Sequence, residues 1–232
     1  MNLDAVLDAL FPQGRQVKVD SWRVVGMATV DSKPVAVLGT TGNIALGIDE
    51  LVWLNEQFIE IMKHHAGCPI VMLVDNSGQK MALRDELLGL PQYIAALLET
   101  QETARRRGHA LIAVVYGDSV AGGFIAFGMS ADVIVTLPGA QTSVMSLQAI
   151  ARVTKLPLGK LEELAKQIPV FAPGPDNFFK AGGLHAIWTD NFAARLSDAI
   201  KSAGKNDTRM SMGRERGGRQ VAQRIAQEVL DA

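Results

Sequence analysis

The chain has 232 residues, 48% of them hydrophobic, which predicts one large or two small domains with a substantial core. Its net charge of −1 shows no excess of positive charge, which argues against a nucleic-acid or anionic-membrane partner. The single cysteine, Cys68, excludes an internal disulfide, no signal-peptide, membrane-spanning or Cys/His metal pattern occurs, and a cytoplasmic location is therefore expected.

The first part of the chain predicts a short helix and then a β-hairpin. Leu3 to Phe11 carries apolar residues at helical spacing and ends at Pro12, so we interpret residues 1–22 as a docking segment. From Arg23 to Gly39, two β-rich runs flank the polar turn Asp31–Pro34. This pattern is typical of a hairpin.

Two strand–turn–helix units follow. After a helix that opens at Asp49, the buried strand Ile70–Val74 runs into the polar turn Asp75–Gln79, and a long helix spans Pro91–Arg107. The strand Leu111–Tyr116 is likewise followed by glycines and by a compact apolar helix. The repeated order predicts parallel βαβ units in a single α/β domain.

The rest of the chain predicts a loop, several helices and one edge strand. Residues 205–219 are polar and rich in Gly and Arg, with Arg209, Arg214, Arg216 and Arg219 available either to a flexible tail or to an acidic partner. The predicted elements are a loop over Pro138–Ser146, helices over Leu147–Thr154, Leu158–Ile168, Asn177–Lys180, Phe192–Ala203 and Gln220–Leu230, a loop over Pro169–Pro175 and a turn into an edge strand over Ala181–Trp188.

Gly122 and Gly123 lie where the strand gives way to the helix. Such glycines leave unpaired amide hydrogens at a helix start, which suits a developing oxyanion, although paired glycines also simply allow tight packing. The turn Ser77-Gly78-Gln79 ends the neighbouring predicted strand. Because parallel strands end at one edge, we expect both turns to form a single site there.

Other polar residues near these turns have competing interpretations. Ser119 is one residue short of a nucleophile elbow, but the predicted positions of the four histidines offer it no catalytic base. Lys80 and Arg84 follow the Gly78 turn and either meet a phosphate or carboxylate or form a solvated loop. We therefore favour amide-based chemistry over covalent serine catalysis.

Five segments of the chain carry a resemblance to a known family, namely Pro34–Val37, Asn76–Gln79, Ser119–Ala126, Ala131–Val135 and Thr142–Ser146. Over about Val24 to Trp188 the chain resembles the crotonase-like superfamily. Within it the chain is most similar to the carboxyltransferase branch, and especially to the gamma subunits of biotin-independent malonate decarboxylases.

This resemblance implies a crotonase/ClpP-like ββα superhelix and a beta-subunit partner of the same fold. It implies decarboxylation of malonyl carried on the CoA-like prosthetic group of an acyl carrier protein, without biotin or metal. By position, Gly122 and Gly123 would supply one oxyanion hole, and Gly78 and Gln79 the other. Substrate-binding positions would be Ser119, Val120, Met145, Lys80 and Arg84.

The chain departs from the resemblance at two places. Leu147-Gln148-Ala149 stands where carboxyltransferase alpha subunits carry Pro-Glu-Gly, and Gln79 replaces the second glycine of the usual Ser-Gly-Gly turn. The lack of a carboxylate over Val144–Ala151 disfavours a hydratase. Two alternatives stay open, a self-sufficient crotonase-fold acyl-CoA hydrolase or decarboxylase and a non-catalytic scaffold subunit.

Overall fold

The computed structural model describes residues 1–167, 173–204, 206–218 and 220–231. Within these residues the strands are β1 (Arg15–Asp20), β2 (Arg23–Val30), β3 (Lys33–Thr40), β4 (Ile44–Leu46), β5 (Ile70–Gln79), β6 (Leu111–Val120), β7 (Val133–Thr136), β8 (Gln141–Ser143) and β9 (Ala186–Ile187). The helices are α1 (Leu3–Leu10), α2 (Ile48–His64), α3 (Leu83–Leu87), α4 (Leu90–Arg106), α5 (Ala121–Ala126), α6 (Leu147–Thr154), α7 (Leu158–Gln167), α8 (Pro175–Lys180), α9 (Phe192–Ser202), α10 (Arg209–Glu215) and α11 (Gln220–Leu230).

The strands form one sheet in the order β1-β2-β3-β5-β6-β7-β9, with β4 beside β5 and β8 beside β6. The first three strands are antiparallel, and all pairings from β3 onward are parallel. The predicted hairpin and the predicted parallel βαβ units are thus confirmed. At the hairpin turn, Asp31 and Ser32 both adopt positive φ, as the two-residue turns that match strand twist require.

Helices cover both faces of the sheet. Alternate residues of β5 point to opposite sides, so that Met72 packs with α2 and α4 while Leu73 packs with α1 and α9. The central strands are buried on both faces and read as unbroken apolar runs for that reason. The helices on the two faces of the sheet hold the ends of β5 and β6 beside each other.

The strands β5 and β6 are longer than the sequence predicts. Asp75–Gln79, predicted as a turn, continues β5 after a register shift between Val74 and Asn76, because β4 pairs with this extension. In the same way β6 runs on to Val120 because Asp118–Val120 pairs with β8, which lies in the predicted loop. The two glycine-bearing segments therefore leave the main sheet as paired strands.

Other boundaries also differ from the predictions. The strand β1 lies inside the predicted docking segment and pairs along its length with β2. The helix α3 lies between the predicted turn Asp75–Gln79 and the predicted helix from Pro91, where no helix is predicted. The polar region after residue 205 is docked rather than a free tail. There Arg209 donates to the Met129 carbonyl, and Arg216 donates to the carbonyls of Phe179, Leu184 and His185. Residues 168–172, part of the predicted helix end and loop, and Arg219 lie outside the described residues.

Candidate active site

Asp75 fixes the point where β5 and β6 leave the main sheet. Its Oδ1 accepts a hydrogen bond from the Asp118 amide and its Oδ2 one from the Asn43 amide, each at 3.0 Å. The hydroxyl of Thr40 donates to the Asp75 carbonyl at 2.9 Å. A Cβ at Gly117 would lie 2.2 Å from Asp75 Oδ1, so a residue without a side chain is required there. One nearly buried carboxylate thus holds together the backbones that follow β3, β5 and the main part of β6.

Tyr116 braces the same corner from the last position of the main β6 run. Its hydroxyl donates to the Thr40 carbonyl at 2.9 Å. Burial raises the pKa of Tyr116 well above its usual value, so the phenol stays protonated and remains a donor. The hydrogen bond from Tyr116 to the Thr40 carbonyl therefore does not change with pH in the physiological range.

The two predicted glycine turns meet directly at the end of this sheet. A Cβ built on Gly123 would lie 2.3 Å from Asn76 Oδ1 and 2.7 Å from the Gly78 Cα. Gly78 itself has φ of +106°, in the region that favours glycine. The backbones of Gly78 and Gly123 are therefore in a contact that no side chain would permit. The structure brings together these two predicted residues.

The amides of Gly122 and Gly123 lie in the first turn of α5, where backbone N–H groups have no acceptor within the helix. The Gly122 amide instead donates to the side-chain Oε1 of Gln79 at 2.9 Å. The Gly78 amide donates to Asn76 Oδ1 at 3.2 Å. Backbone amides at this junction thus bind carbonyl oxygens, and the same donors suit an oxygen that becomes anionic during a reaction.

Three polar side chains that flank the glycines form a buried row across β5, β6 and β8. Asn76 is paired in register with Ser119, and Ser119 with Thr142, so that all three lie at the same level of the sheet. All three residues are completely buried. The Ser119 hydroxyl donates to the Gln141 carbonyl, while Asn76 Nδ2 and Thr142 Oγ1 have no hydrogen-bond partner in the described structure. Ser119 is thus inaccessible to a ligand here.

The predicted basic residues Lys80 and Arg84 lie close to the N-terminus of α2. Arg84 donates to both carboxylate oxygens of Asp49, and this ion pair raises the Arg84 pKa. Lys80 Nζ is 3.9 Å from Glu50 Oε1 and the Lys80 side chain is partly exposed. Both cations are therefore partly neutralised by acidic residues in the first turn of α2.

Exposed apolar side chains occur on segments that adjoin the glycines. Ile125, two residues beyond Gly123, is 51% exposed, and Met81, two residues beyond Gln79, is 83% exposed. Met145, a predicted substrate contact, is partly exposed after β8, and Val120 is half-buried at the end of β6. The whole group, which we call the apolar rim, comprises Met81, Leu83, Leu87, Ile125, Val144, Met145 and Val153.

The histidines His64, His109 and His185 make contacts away from the two glycine turns. His185 Nδ1 accepts from the Ile134 amide at 3.0 Å, and burial lowers the His185 pKa. His109 Nδ1 lies 2.8 Å from the Cys68 carbonyl oxygen, and His64 lies 3.2 Å from Glu60. Across residues 1–167, 173–204, 206–218 and 220–231, no group of three or more His, Cys, Asp or Glu residues is arranged to hold a metal ion, and no helix is both long and apolar enough to cross a membrane.

Sequence reasoning found the glycines but missed the residues that hold them. Neither Asp75 nor Asn76 was given a role, although a polar pair directly after the apolar run Ile70–Val74 was the available signal. The role of the Gln79 side chain was also missed, because a contact across 43 positions leaves no local pattern.

The mixed sheet, with glycine turns at the ends of two parallel strands, is the crotonase-like carboxyltransferase fold. Transcarboxylase 12S has the same fold, with a TM-score of 0.71 and 18% identity over 87% of this chain and 41% of that chain. A Pseudomonas malonate decarboxylase hetero-tetramer in complex with coenzyme A matches with a TM-score of 0.76 and 22% identity, covering 98% of this chain and 97% of that chain. An MdcD–MdcE hetero-dimer of Pseudomonas malonate decarboxylase matches with a TM-score of 0.73, 22% identity and coverage of 97% of each chain.

The family model for the malonate decarboxylase gamma subunit matches residues 41–232, and the chain belongs to this family. A curated relative, the malonyl-S-ACP:biotin-protein carboxyltransferase MADD of Malonomonas rubra, is 30% identical over 174 residues. The matched region is 68% of this chain and 59% of that protein, so the chain spans about three fifths of that relative's length.

Proposed function

We propose that the chain is the gamma subunit of a heteromeric malonate decarboxylase, which converts malonyl-S-acyl carrier protein to acetyl-S-acyl carrier protein. The observation that carries the proposal is the junction of Gly78 with Gly123, where backbone amides face carbonyl oxygens. Family membership and the malonyl-S-ACP specificity of the Malonomonas relative support the choice of substrate.

The chemistry requires that an oxygen be stabilised as it gains charge. The bond between the malonyl carboxylate carbon and the α-carbon breaks, carbon dioxide leaves, and the electron pair delocalises into the thioester carbonyl to give an enolate. A proton then adds to the α-carbon and gives the acetyl thioester. We assign one oxyanion hole to the amides of Gly122 and Gly123 and the other to those of Gly78 and Gln79. Loss of one donor that binds the enolate oxygen typically costs about a hundredfold or more in rate.

We infer that a beta subunit of similar fold completes the site by covering the apolar rim. Ile125 and Met81 are exposed and each lies two residues from a proposed donor in the sequence, and exposed apolar side chains that gather near a site are typical of interaction surfaces. The hetero-dimeric and hetero-tetrameric Pseudomonas structures support this arrangement. Met145 and Val120 would then contact the acyl group at the subunit boundary.

The acyl group would arrive on a CoA-like prosthetic group of the carrier protein, with no biotin in the reaction. The coenzyme A bound in the Pseudomonas hetero-tetramer supports a ligand of this kind. Lys80 is the better placed of the two predicted cations to meet an anionic group of that ligand, because its Nζ is 3.9 Å from Glu50 whereas Arg84 already donates to both carboxylate oxygens of Asp49. We assign the complex to the cytoplasm, as the single cysteine suggests.

Reconstitution with the beta subunit tests the function. The chain alone should release almost no carbon dioxide from malonyl-S-acyl carrier protein, and the complex should release carbon dioxide and acetyl thioester in equal amounts. Gly122→Val should abolish turnover, since its side chain would fill the space beside the Gly122 amide that the Gln79 oxygen now occupies. The variant should still fold, because that side chain points at the Gln79 carboxamide rather than at backbone. The matched control is Gly159→Val, at an exposed glycine with no atom within 4 Å of its Cβ position.

Three outcomes would count against the proposal. Full turnover by the isolated chain would indicate a self-sufficient enzyme. Unchanged turnover in the Gly122→Val complex would indicate a scaffold subunit. For the rim, Ile125→Asp should weaken assembly on size-exclusion chromatography while Val19→Asp, at an exposed position on the edge strand β1, should not; equal behaviour of the two variants would reject the apolar rim as the interface.

A further inference from the structure

The Gln79 side chain ends on one of the proposed oxyanion donors. Its Oε1 accepts from the Gly122 amide at 2.9 Å, and this is the one hydrogen bond that the carboxamide makes among the described residues. A Cβ on Gly122 would lie 2.9 Å from this oxygen and 3.1 Å from the Gln79 Cδ. The glycine therefore provides the space that the carboxamide fills.

The backbone of Gln79 is fixed, whereas its carboxamide has room to leave. Gln79 is the last residue of β5 and pairs in register with Leu46, and the next amide, that of Lys80, donates to the Leu46 carbonyl at 2.8 Å. The side chain itself is only partly buried. Rotation about its side-chain torsions would free the Gly122 amide without moving β5.

We propose that the Gln79 carboxamide occupies the oxyanion position in the resting enzyme and that the substrate thioester displaces it. This inference rests on the proposed function. A carboxamide oxygen and a thioester oxygen are both sp² carbonyl oxygens, so each suits the same amide donor. Binding of the substrate then exchanges one hydrogen bond for another, and Gln79 sets how tightly the thioester is held.

The exchange weakens the binding of the substrate and of the transition state equally, because the Gln79 carboxamide has left the Gly122 amide before the reaction begins. Removal of its oxygen should therefore lower KM and leave kcat unchanged. Since a net hydrogen bond contributes about 0.5–1.5 kcal/mol, the expected decrease in KM is about twofold to twelvefold.

Two substitutions at position 79 test whether the carboxamide competes with the thioester for the Gly122 amide. Gln79→Met keeps a long, unbranched side chain and the Gln79 backbone amide but has no strong acceptor, so KM should fall. Gln79→Glu keeps the acceptor and adds a charge, which strengthens the contact with the amide and repels an anionic malonyl group, so KM should rise. Both variants should assemble with the beta subunit and melt at the temperature of the unaltered complex.

The experiment measures kcat and KM of the reconstituted complex with malonyl-S-acyl carrier protein, and inhibition by a thioether analogue whose carbonyl is replaced by methylene. Gln79→Met should strengthen binding of the thioester substrate but not of the thioether inhibitor, because only the thioester has a carbonyl oxygen that needs the Gly122 amide. An unchanged KM, or a fall in kcat at constant KM, would overturn the inference. An unaltered complex that does not decarboxylate would instead refute the proposed function.

Discussion

The adjacent glycines Gly122 and Gly123 should respond very differently to the same added methyl group. In Gly123→Ala the new Cβ would lie 2.3 Å from Asn76 Oδ1 and 2.7 and 2.8 Å from the backbone Cα and C of Gly78. To reach the shortest contact that real Cβ atoms show, the Asn76 oxygen must retreat by about 0.7 Å and the Gly78 backbone by about 0.3 Å. The end of β5 has to move.

Overpacking of this kind costs about 1–3 kcal/mol, partly offset by the preference of a helix for alanine. A displacement of several tenths of an ångström at the proposed donors should also lower kcat, by about tenfold to a hundredfold. In Gly122→Ala the methyl meets only the end of the Gln79 side chain, which can rotate away. That variant should keep its stability within about 1 kcal/mol.

Urea denaturation of the isolated chain, followed by circular dichroism, measures the free energy of unfolding of each variant, and the reconstituted complex gives kcat. The two variants serve as controls for each other, since both add one methyl group to the same turn of α5. Equal stabilities would show that the contact between Gly123 and Gly78 is looser than described. A Gly123→Ala complex with unchanged kcat would refute the reasoning that this contact positions the donors.

Three further outcomes are expected. Asp75→Asn should lower the free energy of unfolding by about 1–3 kcal/mol in denaturant titrations, because the amide NH₂ must face one of the two backbone donors. Asn43 and Asp118 amides that are both as protected from hydrogen exchange as in the unaltered protein would contradict this. The pKa of His185 is lowered by burial, so its contribution to stability is complete above the unfolded-state value of 6.5 and is lost as pH falls through the lower folded-state pKa. In His185→Asn, which can still accept from the Ile134 amide, this pH dependence should disappear from unfolding curves; its persistence would assign it to another group. In Arg216→Lys the ammonium cannot reproduce the guanidinium contacts with three carbonyls, so trypsin should remove the C-terminal helices faster than in the unaltered protein. An equal cleavage rate would show that these contacts do not dock the segment.

The alternation of strand and helix was predictable because it depends on the local periodicity of apolar residues. The apolar runs Ile70–Val74 and Leu111–Tyr116 are long enough to identify buried strands. Their true ends were not predictable, since Asn76–Gln79 and Asp118–Val120 are extended only because β4 and β8 pair with them. The edge strand β1 was missed because only Val17 and Val19 alternate in it among exposed polar residues.

The site was predictable where it depends on backbone and unpredictable where it depends on side chains distant in sequence. Glycine at positions 78 and 123 indicated a close approach, and the structure shows the two in contact. The position of Arg84 after the Gly78 turn predicts either a ligand contact or a solvated loop, whereas in the structure Arg84 forms an ion pair with Asp49, 35 residues earlier. Its role in substrate binding stays a prediction.

The packing of Gly117 against Asp75 bears on how members of this family can diverge. Because a Cβ at position 117 would lie 2.2 Å from the Asp75 carboxylate, a substitution at 117 is tolerated only after position 75 has become smaller. The reverse order, loss of Asp75 first, passes through a protein whose amides at Asn43 and Asp118 lack their acceptor. Both evolutionary routes are therefore uphill at the first step, and the two positions should be inherited as a pair.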